Sequence, residues 1–497
     1  MTDANTAYAE LETLFARANR IDEAAGWLHW DQSVTMPVGG AEARGEQVAA
    51  LAEVAHEIVA ATKVGDLLGV AETGEDAWRK ANLREMRRLH IKATATPLDL
   101  VGALARARSI SETAWRTARP ATDFGQVLPA FRDLLGLVRQ EAQALGEALN
   151  LSPYDALLAQ YDPGRGAADI TPVFARLRGF LADAIPEIVQ QQADWGGIPA
   201  VRAPAAAQRE AATALLRAIG FDFHHGRLDD SIHPFSTGTA EDARITARWN
   251  ENDALSGLMA VLHEAGHAAY TRGQPKAWRG QPVGGDAGMT AHESQSLAYE
   301  MLAGRTAAMS GFLASLLTEA SGGPVAPQDV ERSLQRVAPG YIRVDADEAT
   351  YPVHVILRFE LEQALIAGDL NPADLPGAWN ERVVKYLGLP EPDDREGCLQ
   401  DIHWFDGAFG YFPTYTLGAL AAAQLFASAS KAIGPDALTA ALAQGDYGAL
   451  TEWMGANVHS LGRLHPSSDD ILTAATGAPL SPDAFEAHIR RRYLGAA

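Results

Sequence analysis

The sequence predicts a mainly α-helical protein with a small β-sheet placed just ahead of one histidine-bearing helix. Three observations carry this. Apolar residues recur at helical spacing over most of the chain, and the breaks between those segments are short and hold Pro, Gly or Asp. At Phe221 the helical period is lost, and a two-residue alternation follows it.

From Ala4 to Leu28 the apolar stripe is Leu11, Leu14, Phe15, Ala18, Ile21, Ala25 and Leu28, and Pro37-Val38-Gly39-Gly40 breaks it. A second helix is predicted over Ala41–Ala61, with Leu51, Val54, Ile58 and Val59 on one side. Further helical segments fit Glu75–His90, Pro97–Ala118, Phe124–Leu149, Thr171–Gln191 and Pro204–Ile219. The last has proline at its first position, where the missing N–H costs nothing, and Gly220 just past its end. FDFHHGRLDDSIHPFS, beginning at Phe221, is rich in turn residues and aromatics, and ARITARW (Ala243–Trp249) alternates as a strand does. Helical pattern resumes at Thr290 and continues with breaks near Gly322 and Gly340. No fixed-period repeat interrupts it.

Charge and cysteine content narrow the function classes. With 41 Lys and Arg against 63 Asp and Glu, the formal charge of −22 disfavours general binding to nucleic acid or an anionic membrane. A single cysteine, Cys398, excludes an intramolecular disulfide and a thiolate cluster, so any metal must be held by nitrogen and oxygen. The opening MTDANTAYAELETLF has acidic residues where a secretory leader needs a basic patch and an apolar run. The uncharged stretch Gly407–Ser430 contains Pro413, several glycines and Gln424, so it is no clean apolar 20-mer, and its second half reads as a buried helix. These features predict a soluble, cytoplasmic protein.

The chemistry centres on AVLHEAGHAAY, Ala260–Tyr270. On a helix, His263 and His267 lie one turn apart on one face, so both imidazoles reach a single ion. Glu264 projects about 100° round the helix, towards a water on the ion's open side. This is the His-Glu-x-x-His pattern of zinc hydrolases. Leu255, Leu258, Met259, Leu262 and Ala269 supply an apolar stripe, and Gly273 then Pro275 end the helix.

Zinc peptidases with a third histidine need Gly and His where this chain has Tyr270 and Gly273, so that class is excluded. The other large class takes a glutamate from a following helix. Glu293 in AHESQSLAYE stands 26 residues after His267, with Glu300 as a rival seven residues later. Between them RGQPKAWRGQPVGGDAG (Arg272–Gly288) reads as a wall of the site rather than a plain loop. The strand ahead of the helix either packs as an ordinary strand or pairs with extended substrate at the sheet edge, with Arg244 and Thr246 placed for that role. Zinc lowers the pKa of bound water to ~7, and Glu264 would carry that water's proton to the leaving amine. A donor to the developing oxyanion is also needed, and Gly397–Gly418 supplies His403, Tyr411 and Tyr415 close together.

Six ordered motifs then bring in a family. HPF (His233–Phe235), DARIT (Asp242–Thr246), HEAGH (His263–His267), HESQS (His292–Ser296), IRVDAD (Ile342–Asp347) and GCLQDIHW (Gly397–Trp404) stand in the order and spacing of the carboxypeptidase Taq family of zinc metallocarboxypeptidases. WDQSVTMPVGGAEARGEQ (Trp30–Gln47) and YDALLAQYDPG (Tyr154–Gly164) extend the resemblance over almost the whole chain. It implies one peptidase domain over residues 1–497, similar to neurolysin and angiotensin-converting enzyme, with two helical lobes flanking a deep groove. It further implies a homodimer that trims peptides bearing a free C-terminal carboxylate, with broad specificity and poor tolerance of proline. Matched motif by motif, His263, His267 and Glu293 are the metal ligands and Glu264 the general acid/base. Arg343 is the candidate grip on the substrate carboxylate, because an arginine fork suits a carboxylate bidentately; the alternative is an ion pair with Asp345 or Asp347. His403 and Tyr415 are candidate transition-state donors, with Tyr411 a substitute.

The chain departs from the family pattern at Ala268-Ala269-Tyr270-Thr271 and Leu297-Ala298-Tyr299, which touches packing behind the site rather than the ligands. The metal is expected to be Zn2+, with Co2+ or Mn2+ able to replace it on imidazole and carboxylate donors. Two other readings stay open at this point: an endo-acting zinc oligopeptidase, and a non-catalytic peptide-binding protein with a structural zinc.

Overall fold

A computed structural model describes residues 3–495. They form helices throughout, with one three-stranded sheet. The chain divides into two compact units, each assembled from segments distant in sequence.

The first unit holds residues up to Ala93, Trp195–Leu334 and Gly418–Leu480. It opens on a long helix, Ala4–Val34, whose first free N–H groups are met by the Asp3 carboxylate, which accepts from Asn5 and Thr6. Tyr8, Leu11 and Phe15 of that helix pack with Val64, Leu67, Leu68, Leu83 and Met86 into one buried cluster. The second predicted helix runs Ala41–Ala60, and the seventh spans Ala205–Ala218 with Pro204 just ahead of it.

The sheet lies in this unit: β1 (Gly226–Asp230), β2 (Ser236–Thr239) and β3 (Asp242–Ala247) in the order β1-β3-β2. β3 pairs in parallel with β1 and antiparallel with β2. The strand expected to offer an edge to substrate is therefore the central one, and its backbone groups are committed on both sides. Sequence alternation marks a strand but not its place in a sheet. Thr246 on β3 is fully buried, and its hydroxyl receives the Phe235 N–H at 3.0 Å and the Ser231 hydroxyl at 2.9 Å. The DARIT and HPF motifs thus lock one turn together.

The second unit holds Thr94–Asp194, Gln335–Leu417 and the residues from Ser481 onward. Its main helices are Leu98–Ala121, Leu128–Leu149, Ala167–Gln191, Tyr351–Ala367 and Asp483–Tyr493. The segment expected from Phe124 begins instead as a short 3-10 turn, Phe124–Gln126, before Leu128 opens the helix. The segment expected from Thr171 begins at Ala167, because the Asp169 carboxylate turns back to accept the Gly166 N–H at 3.0 Å. Phe124, Phe131, Phe405 and Phe409 pack together in its core, Phe131 and Phe405 with ring centroids 5.2 Å apart.

Candidate active site

In the first unit, the predicted histidine-bearing helix is Ala254–Gly273, started by the Asp253 side chain and buried along most of its surface. Met289–Leu297 forms the next helix, and Gly266 decides how closely the two approach. A Cβ at Gly266 would lie 2.5 Å from the Gln295 carbonyl oxygen and 2.6 Å from Ser296 Cα. Only glycine fits there. Gly418 works similarly from the helix Pro413–Ile433: a Cβ on it would stand 2.8 Å from the Glu293 side chain.

These contacts bring His263, His267 and Glu293 together. One donor atom from each lies within 4.8 Å of the others, and among the described residues this is the group able to hold a metal ion. Glu293 Oε2 stands 3.7 Å from His267 Nε2 and 3.9 Å from His263 Nε2. Two imidazole nitrogens and a carboxylate oxygen at such spacing suit a small divalent cation with one position left open.

The electrostatics agree with that fit. Burial alone would depress the His263 imidazole, but its hydrogen bond to Glu300 and the carboxylates of Glu293 and Glu264 outweigh burial and raise it to about 9. The cluster of carboxylates calls for positive charge. His267 goes the other way, held well below its usual range by burial and by the two neighbouring histidines, and so is neutral, the form able to ligate a metal. Burial lifts Glu264 to about 7, with Glu293 and Glu300 adding to the effect and His263 opposing it. A carboxylate in that range is matched to proton transfer near neutrality.

Glu300, the rival ligand, takes another place. Its Oε2 accepts from His263 Nδ1 at 3.3 Å, and Arg305 pairs with its other oxygen. Burial would raise this carboxyl, but Arg305 and the His263 bond hold it down to about 2. The helix changes to a π-helical turn at Ala298–Gly304, and Glu300 sits within it. Such turns often mark functional sites. His292 stacks on His267 with ring centroids 4.2 Å apart, and its Nδ1 faces Asp286 at 3.7 Å.

The Gly/Pro stretch Arg272–Gly288 is a pinned strap. Val283 is fully buried and donates to Asn82 Oδ1 at 3.2 Å, Gln281 donates to the Glu12 carbonyl at 2.9 Å, and Trp278 stacks on Trp78. Arg463 binds Asp286 through both backbone and side chain and reaches buried Glu85. Arg244 is also engaged within this unit. It pairs with Asp242 at 2.7 Å and lies 4.3 Å over the rings of both Trp27 and Trp30, tying the first helix to the sheet.

In the second unit, IRVDAD and GCLQDIHW interlock. Buried Arg343 donates to the Asp401 carboxylate from Nε at 3.2 Å and Nη2 at 2.7 Å, and to the Tyr351 hydroxyl from Nη1 at 2.8 Å. Its ion-pair partner is thus Asp401, not Asp345 or Asp347. Asp347 instead accepts the Ala349 and Thr350 N–H groups, each at 3.0 Å. Gln400 Oε1 receives the Arg343 N–H at 2.8 Å, and Arg358 donates to Asp401 from the other side at 2.6 Å. Burial would raise Asp401, but the two guanidiniums hold it far below the usual carboxylate range.

His403, Tyr411 and Tyr415 lie together as expected: ring centroids are 5.7 Å apart for His403–Tyr411 and 5.2 Å for Tyr411–Tyr415. The Arg343 guanidinium is 5.1 Å from the Tyr415 ring. Burial depresses His403 to about 4, with Arg343 and Arg358 adding and Asp401 opposing, so it is a neutral donor at neutral pH.

Sequence reading gave no role to His292, Gln400, Asp401 or Arg358. The first three stand inside the motifs HESQS and GCLQDIHW, the one signal that could have found them.

Two histidines one turn apart, a glutamate from a second helix and a buried glutamate beside them mark a metallopeptidase of the two-histidine, one-glutamate class. Comparison with known proteins gives the family. The family model for carboxypeptidase Taq (M32) metallopeptidase matches residues 10–493. The chain is 37% identical over 489 residues to thermostable carboxypeptidase 1 of Thermus thermophilus, covering 93% of this chain and 94% of that one. It is 31% identical over 507 residues to carboxypeptidase 1 of Bacillus subtilis, covering 99% of each. The solved structure of metallocarboxypeptidase 1 of Trypanosoma cruzi matches with a TM-score of 0.95 at 35% identity, over 98% of this chain and 99% of that one. The chain belongs to the carboxypeptidase Taq family and is a metallocarboxypeptidase, a hydrolase of peptide bonds. Membership implies a divalent metal and peptide substrates. No helix among the described residues is long and apolar enough to cross a membrane.

Proposed function

We propose that this enzyme removes residues one at a time from the free C-terminus of peptides, with broad side-chain specificity, poor tolerance of proline and Zn2+ as its metal. His263, His267 and Glu293 would hold the ion, which when bound supplies Lewis acidity to the scissile carbonyl and to the attacking water. Glu264 takes the proton of the attacking water and hands it to the leaving amine. Glu300 and His292 keep the two imidazoles oriented. Neutral His403, with Tyr415 and in second place Tyr411, supplies donors for the charge that develops on the carbonyl oxygen.

The observation that carries the exopeptidase reading is the state of Arg343. A guanidinium has five N–H donors, and Asp401 and Tyr351 take three of them in the structure. The remaining pair, one each on Nη1 and Nη2, forms a second fork suited to a carboxylate. Arg244, spent on Asp242 and two indoles, serves in this reading by holding the sheet rather than by meeting peptide. The lone buried cysteine suits a reducing, cytoplasmic setting. A homodimer, proposed on the family likeness, is checked by sedimentation.

Mass spectrometry of a timed peptide digest tests the proposal. A ladder losing one C-terminal residue per step is expected, and amidation of that terminus should suppress it. Internal fragments appearing first would establish an endopeptidase instead.

A further inference from the structure

One buried carboxylate in the second unit lies outside all the chemistry described so far. Glu348 stands five residues beyond Arg343, and its side chain is wholly buried. Three side chains from the helix Asp483–Tyr493 converge on it. His488 Nε2 is hydrogen-bonded to Oε1 at 2.5 Å, while Arg492 Nη1 and the Tyr493 hydroxyl donate to Oε2 at 2.8 Å and 2.7 Å. His488 and Arg492, four residues apart, share one face of the helix, and Tyr493 next to Arg492 reaches the same carboxylate from the helix's last residue.

Burying a carboxylate costs several kcal/mol unless charge and hydrogen bonds compensate it. Surface attachment of a helix needs no such arrangement, since apolar contacts would serve. What the three donors fix is a position on the segment Tyr341–Thr350. The segment's other polar anchors are Asp347, which accepts the Ala338, Ala349 and Thr350 N–H groups, Gln400, which holds the Arg343 N–H and the Tyr341 carbonyl, and the bonds of the Arg343 side chain to Asp401 and Tyr351. Val344 and Asp345, just beyond Arg343, are exposed, whereas Glu348, Ala349 and Thr350 are buried, so the clamp fixes the buried end of the segment that carries Arg343.

We propose that Glu348 and the donors His488, Arg492 and Tyr493 form a clamp that positions Arg343, making them positioning residues for recognition of the substrate's C-terminal carboxylate. This rests on the reading that Arg343 grips that carboxylate. A shift of the segment moves the free Nη1/Nη2 fork while leaving the histidines and Glu264 untouched. Its signature therefore falls on carboxylate recognition and not on the hydrolytic step.

The test compares kcat/KM for a peptide with a free C-terminus and for the same peptide amidated, in wild type, Glu348→Gln, Tyr493→Phe and Arg343→Met. For Glu348→Gln the free-acid to amide ratio should drop roughly tenfold, through KM rather than kcat. Tyr493→Phe removes a single donor and should move the ratio in the same direction by less. An unchanged ratio in a folded Glu348→Gln protein overturns the clamp; so does a fall in kcat alone. If Glu348→Gln does not fold, Tyr493→Phe decides, and a wild-type ratio there overturns the proposal. Arg343→Met separates the two ideas. If it leaves the ratio intact, the carboxylate reading falls and the clamp with it; if it collapses the ratio while the other variants do not, the clamp alone is refuted.

Discussion

His263 faces a carboxylate at each of its ring nitrogens, both from one continuous stretch of chain. Glu293 Oε2 lies 3.9 Å from Nε2, and Glu300 Oε2 lies 3.3 Å from Nδ1. In the proposed site the first carboxylate would share the metal with this imidazole, and the second would fix its tautomer and tilt.

Glu300→Gln should therefore weaken metal binding without removing a ligand, by roughly 10- to 100-fold in affinity. Titration of the apoprotein against a competing chelator measures this directly. Wild-type affinity in the variant would mean that the bond to Nδ1 does not orient the ring.

Glu264→Gln keeps the size of the side chain and removes its basicity. Metal content should stay at the wild-type level while kcat falls by roughly 10²- to 10⁴-fold. Elemental analysis beside single-substrate kinetics checks both halves, and appreciable turnover would place the proton transfer elsewhere.

Gly266→Ala should damage both stability and metal binding. The added methyl meets the Gln295 backbone at 2.5 Å, which neither helix can relieve by turning a side chain. Overpacking of this kind costs about 1–3 kcal/mol, and the separation it forces also draws Glu293 from the histidines. Thermal unfolding with and without chelator separates the two effects.

Glu362 makes stability depend on pH. Its wholly buried carboxylate accepts from Tyr154, from Trp404 Nε1 at 2.9 Å and from the Gly410 N–H, yet burial still raises it to about 7, with Arg358 opposing. A carboxyl raised in the folded state favours folding fully below its unfolded value of 4.5 and loses that contribution as pH passes through about 7. Denaturation of wild type and Glu362→Gln at pH 4.5 and pH 8.5 should show the wild type losing on the order of 3 kcal/mol relative to the variant across that range. Parallel curves would show that Glu362 does not titrate there.

Local patterns were readable in the sequence, and long-range pairings were not. His263, Glu264 and His267 follow from helical geometry, because their spacing is the message. Glu293 needed more, since a strap separates it from the histidines and Glu300 fits the same helical face. What distinguishes the two glutamates is a π-helical turn, a change of hydrogen-bond register with no side-chain signature. Arg343 was found, but its partner Asp401 lies 58 residues away, and the nearby Asp345 and Asp347 were the only candidates that spacing suggested. The alternation at β3 gave a strand but left open whether it packs inside the sheet or offers an edge, because its neighbours are set by β1 and β2. The grouping of His403, Tyr411 and Tyr415 was legible because thirteen residues contain all three.

The anchorage of the strap has a consequence for how the enzyme is made. His263, His267 and Glu293 are synthesised well before Gly418, which closes on Glu293, and before Arg463, which ties down Asp286 and donates its N–H to the Val283 carbonyl at 2.7 Å. A nascent chain that has reached only residue 400 already carries every proposed ligand and the proposed base, but neither Gly418 nor Arg463. A peptide-bond hydrolase built this way completes the surroundings of its proposed metal ligands only late in its own synthesis.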